Sequence, residues 1–139
     1  MPSRPAPPAS SAARTLHSFL IASTLIVCIG AFVAARSSGP LRSGIAPIDY
    51  LALVLGAAAL LGFPRLRERL PPRAVGQSVD EWWGGQLGRA VLLWALLEFS
   101  AMVGAAALLI TRQPWGSTAL AALAVAGLLW FSPTRLAGR

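Results

Sequence analysis

Residues 90–111 read AVLLWALLEFSAMVGAAALLIT, an apolar run broken by one charge, Glu98. As a helix it rises about 33 Å at 1.5 Å per residue. That is enough to cross the roughly 30 Å of hydrocarbon in a bilayer. Three further apolar blocks flank it at positions 16–35, 46–63 and 115–131, separated by clusters of Pro, Gly, Ser and Arg. With 139 residues, 55% of them hydrophobic, and a mean hydropathy of +0.63, four such blocks consume most of the chain. The expectation is an all-α integral membrane four-helix bundle, a single transmembrane domain over residues 14–139 behind a disordered Pro/Ala/Ser tail at residues 1–13.

The connections carry the topology. Pro64 is expected to end the second span, and Arg65, Arg67, Arg69 and Arg73 follow it as the most basic stretch of the chain. Arg112-Gln113-Pro114-Trp115 reads as a tight turn between the third and fourth spans, and residues 36–47 as a Gly/Pro/Ser loop. All twelve basic residues are arginine, and the formal net charge is +7. Arg4, Arg14, the five arginines from Arg65 to Arg89, Arg135 and Arg139 fall on one side of a four-span arrangement; Arg36, Arg42 and Arg112 fall on the other. This bias places both termini and the 64–89 connection in the cytoplasm, and the absence of Lys beside so much Ala, Gly and Arg points to a high-GC bacterial genome and so to a bacterial inner membrane. The bias also accounts for the basic charge without nucleic acid as a partner. The basic start of the first block and its Val33-Ala34-Ala35 end resemble a signal peptide. The block is longer than a usual signal core, and more membrane helix follows, so it is read as a retained span.

Few residues carry chemistry. Cys28 is the single cysteine and His17 the single histidine, which leaves no ligand set for a metal or haem and no cofactor site. His17, at the head of the first span, reads as a side chain reaching toward the interface. Trp82, Trp83 and Trp115 read as interface anchors, with an epitope for a partner protein as the alternative for the first two. Glu98 stands near the middle of the third span, where a charged side chain costs at least about 2.5 kcal/mol. A neutral, protonated carboxyl avoids that cost and leaves a group able to join helices by a hydrogen bond or to exchange a proton. No catalytic partner shares its depth, so enzyme chemistry is not expected.

Small residues four apart, which let membrane helices approach closely, recur at Gly30/Ala34, Ala58/Gly62, Ser100/Gly104, Ala101/Ala105 and Ala122/Ala126. Similar endings at residues 59–65 and 127–135 raise the expectation of two parallel helical hairpins related by duplication.

Leu97-Glu98-Phe99-Ser100-Ala101-Met102-Val103-Gly104-Ala105, with the Gly/Ala-rich Leu55-Gly56-Ala57-Ala58-Ala59 before it, resembles the carboxylate-bearing helix of the ATP synthase c subunit. The layout is also similar to small bacterial four-span membrane proteins carrying that helix. By this resemblance Glu98 alone would carry over, as the proton-binding carboxylate. The chain departs from the c subunit in its long 64–89 connection, and its Arg112-Gln113-Pro114 follows the Glu helix where the c subunit places such a turn before it. Two functions follow as expectations: a non-enzymatic accessory or structural subunit of a membrane assembly, or a proton- or cation-handling protein using Glu98. The bilayer, membrane protein partners and further copies of the chain are the expected partners.

Overall fold

A computed structural model describes residues 8–38, 46–112 and 114–138, and all regular structure among them is helical. The elements are α1 (Ala9–Ser37), α2 (Ala46–Glu68), α3 (Val79–Thr111), α4 (Pro114–Trp130) and a short α5 (Pro133–Ala137). Three are long and apolar enough to cross a membrane: α1, α2 over Tyr50–Glu68, and α3. At 17 residues, α4 is apolar but near the lower limit of a spanning helix. Residues 1–7 of the expected tail, residues 39–45 of the first loop, Gln113 and Arg139 lie outside the described residues.

Several boundaries differ from the expected ones. Residues 9–13, expected in the disordered tail, form the first turns of α1, and Ala13 is fully buried. Their order has a visible cause: the Asp80 carboxylate accepts from the Ser10 amide at 3.1 Å, supplying the N-terminal acceptor that α1 lacks locally. Pro64 does not end α2, which runs on to Glu68 with the proline inside it. Pro64 has no N–H for the ladder, and the helix continues past it. The continuation brings Arg65 and Arg67 into the last turn, where their charge suits the carboxyl end of the helix.

The largest difference is in α3, which starts at Val79 and is 33 residues long. At about 50 Å it exceeds the hydrocarbon thickness, so its first three turns, expected as connection, extend beyond the apolar block. A capping box explains the start. Ser78 Oγ accepts from the Glu81 amide at 3.2 Å, and the Glu81 carboxylate accepts from the Ser78 amide at 2.9 Å. Ahead of it, Ala74 to Gln77 form a turn closed by Gln77 N–H to Ala74 O at 3.1 Å, with Gly76 at φ 84° in the left-handed position that glycine accepts freely.

At its other end α3 stops on Arg112 at φ 54°, whose amide donates to Leu108 O. The Arg112 guanidinium donates to the Ser38 carbonyl at 2.7 Å, tying the end of α1 to the α3–α4 turn. The chain restarts as α4 at Pro114, a first-turn proline.

Packing is organised around α3, which α1, α2 and α4 each line along its length. Among the described residues α1 and α2 share no substantial contact, so the first pair of helices does not form the packed hairpin that a duplication would repeat. The core has two zones. At the arginine-rich end it is built from large side chains: Phe63, Trp82, Trp83, Trp94, Leu97, Leu128 and Leu136. Toward the other end many buried positions are small, with Ala31, Ala59, Ala101, Ala105, Ala107 and Ala124 closing contacts beside Leu108 and Leu120. Large apolar side chains cover the outside instead, among them Phe19, Ile26, Ile29, Val54, Leu61, Leu92 and Leu123.

Candidate functional site

Glu98 lies on α3 at the seam with α1, half-buried beside the exposed Phe99. Ser23 on α1 meets it: the Ser23 hydroxyl is 3.4 Å from Glu98 Oε1 and 3.0 Å from the Leu20 carbonyl. A serine has one proton to donate. That proton is shared between the Leu20 carbonyl, the closer acceptor, and Glu98 Oε1. One turn further along the same seam, Cys28 Sγ reaches the Ala101 carbonyl at 4.0 Å. On another face of α3, the Ser100 hydroxyl is shared between Leu96 O at 3.0 Å, within its own helix, and Gly56 O of α2 at 3.3 Å.

Close approach of helices is clearest at Gly104, where α3 meets α4. A methyl there would stand 2.7 Å from the Ser117 carbonyl and 3.1 Å from the Ala121 amide, so α4 lies backbone against backbone on α3. Of the small-residue pairs, Ser100/Gly104 and Ala101/Ala105 are used this way. Ala34, Ala58, Ala122 and Ala126 are exposed, and nothing faces Gly30 within 4 Å.

A second polar cluster closes the end of α4. The last carbonyls of a helix have no partner within it, and two side chains from other helices supply donors at this end of α4. His17 Nε2 lies 2.9 Å from the Leu128 carbonyl, and Trp94 Nε1 donates to the Phe131 carbonyl at 2.9 Å. A carbonyl only accepts, so Nε2 carries the proton in this contact. The two rings pack at 4.8 Å between centroids, and Trp94 continues to Trp83 at 5.9 Å and Trp83 to Trp82 at 4.9 Å. His17 is therefore a buried cap and not a side chain reaching for the interface. Its signal in the sequence was indirect: an apolar helix ending at Ser132-Pro133 leaves carbonyls that need donors from elsewhere.

Trp82 and Trp83, expected as outward anchors, are 3% and 1% exposed. They sit on the protruding turns of α3, packed under α5 and the end of α2, with Trp82 Nε1 donating to the Pro71 carbonyl at 3.1 Å. The capping box is the reason: once residues 79–89 are helical, the two indoles fall on the covered face. Trp115 does point outward, 87% exposed. Within the basic cluster Arg67 lies over the Phe131 ring at 5.6 Å and the Arg69 carbonyl accepts from Arg89, while Arg65 and Arg73 are exposed. Among the described residues no group of three His, Cys, Asp or Glu could hold a metal ion.

Compared with known protein families, curated proteins and solved structures, the chain matches none.

Proposed function

We propose that this is a non-enzymatic, four-span protein of a bacterial inner membrane, with both termini cytoplasmic, acting as a small accessory or structural subunit of a membrane assembly. The observation that carries it is the outer surface, where large apolar side chains from Phe19 and Ile26 to Leu92 and Leu123 are exposed, while small residues such as Gly104 bring helices into close contact. Water would not tolerate that surface, whereas lipid does, and helices in lipid associate through small residues and shared polar contacts. The polar side chains on the helices fit this reading, since His17, Ser23, Trp94 and Ser100 each link one helix to another.

A second reading, proton or cation handling at Glu98, is favoured by one feature. The carboxyl is half-buried at the α1–α3 seam and meets Ser23 only at the long distance of 3.4 Å, which leaves it room to exchange a proton. Substitution separates the two. For a structural Glu98, Glu98→Gln keeps the hydrogen bond and stability, while Glu98→Leu loses about 0.6 kcal/mol and at most about 2. For a proton-handling Glu98, Gln is as damaging as Leu to proton flux through reconstituted vesicles, because only a titratable group exchanges a proton. Resistance of the protein to extraction by alkaline carbonate tests the membrane reading. Release into the supernatant would end it. Co-purification in mild detergent of a stoichiometric membrane partner tests the accessory role, and a solitary protein would count against it.

A further inference from the structure

At the arginine-rich end, a recess of about 200 Å³ opens between α1, the 69–78 connection, α3 and α5. Arg14 and Arg73 line it together with Val79, Trp83, Pro133 and Thr134. The two arginines come from separate segments and both are exposed. Arg73 is positioned by Pro71-Pro72 before it, the carbonyl of Pro71 being held by the buried Trp82, and by the Ala74–Gln77 turn after it. Arg14 acts through space on the Asp80 carboxylate, which also accepts from Ser10. Thr134 adds a hydroxyl, now 3.2 Å from Ser132 Oγ. Val79, Pro133 and Trp83 contribute apolar lining to the same recess.

A planar guanidinium presents paired donors that match phosphate oxygens, and two arginines lining one recess offer more than a single surface arginine does. Basic recesses between helices at the cytoplasmic end of membrane proteins suit anionic headgroups in the same way. We propose that this recess binds a phosphate-bearing anion, either the headgroup of an anionic phospholipid or free phosphate. The inference rests on the membrane reading above for its lipid source, though not for its chemistry.

The test uses the full chain in mild detergent, with bound lipid counted by native mass spectrometry during titration with phosphatidylglycerol or phosphatidylcholine. Wild type retains phosphatidylglycerol preferentially. Arg14→Gln/Arg73→Gln lowers its apparent affinity by about thirtyfold, roughly fivefold for each arginine. The control Arg65→Gln/Arg69→Gln, at the same end but outside the recess, stays within about threefold of wild type. Equal loss in the control, or no loss in the recess variant, overturns the proposal, because either result reduces the effect to general surface charge or to nothing. Arg73→Gln alone, in an exposed connection, gives the same reading if the double variant melts early. Displacement of the lipid by millimolar inorganic phosphate assigns a soluble phosphate as the ligand; persistence of the lipid assigns the headgroup. Carbonate extraction keeps the two failures apart. A protein that stays in the membrane but shows no selectivity loses the recess alone, while one that is released loses the membrane reading.

Discussion

At the scale of single residues, two side chains have consequences that can be measured. Thr24 is completely buried on α1, and its hydroxyl has no hydrogen-bond partner among the described residues. A buried polar group left unpaired costs about 1–3 kcal/mol, and an apolar isostere removes that cost. Thr24→Val is therefore expected to stabilise the bundle by about 1 kcal/mol, read as a higher melting temperature in detergent; destabilisation would mean that the hydroxyl is satisfied in the membrane. Asp80 is the second case. The Ser10 side chain and amide both hydrogen-bond to its carboxylate and hold it below the usual aspartate range. A carboxyl depressed in the folded state stabilises above its unfolded value of about 3.9 and loses that contribution as pH falls through the folded value. The first turns of α1 should stay docked at neutral pH and loosen only in acid, below about pH 4. Amide exchange in residues 9–14 reports this, and Asp80→Asn should abolish the pH dependence.

At the scale of helix pairs, glycine content alone does not say which helices touch. Gly104 and Gly30 both belong to small-residue pairs four apart, yet only Gly104 faces another backbone. Gly104→Val would force its side chain against the Ser117 carbonyl and push α4 from α3. Overpacking of this kind costs about 1–3 kcal/mol, whereas Gly30→Val enters open space and should cost less than about 0.5 kcal/mol. Thermal melting of the two variants side by side checks the assignment, and equal losses would refute it. The same scale shows why α3 begins early. Ser78 and Glu81 form a signature three residues apart that is legible in the sequence, but the Gly84-Gly85 and Gly88 that follow weaken the helical signal.

For the whole molecule, the proposed four-span topology and the arginine bias together imply one orientation. With four spans, α5 and the 64–78 connection share a side with the first turns of α1, and the structure packs these segments together through Trp83, Ala13 and Leu136. Cysteine labelling in a Cys28→Ser background checks the orientation. A cysteine at Ser78 should resist an impermeant reagent applied to intact cells, while cysteines at Ser38 and Gln113 should react. Labelling of position 78 from outside would reverse the orientation.

The sequence by itself determined that the chain is helical, where its apolar blocks lie and where its charge is concentrated. Those properties follow from composition and from the length that a helix needs to cross hydrocarbon, and both are local. Glu98 was legible as the one carboxylate inside the third block for the same reason. The partners of its seam were not, because Ser23 and Glu98 meet only once α1 lies against α3. Low-complexity apolar helices present several similar faces, and Ala122/Ala126 reads no differently from Ala101/Ala105 until one pair is buried and the other exposed. Only the tertiary structure decided that α3 is the hub, that Trp82 and Trp83 turn inward, and that His17 and Trp94 cap α4. Each of these depends on which helix supplies a donor or a surface to another, and that pairing is a property of the assembled bundle.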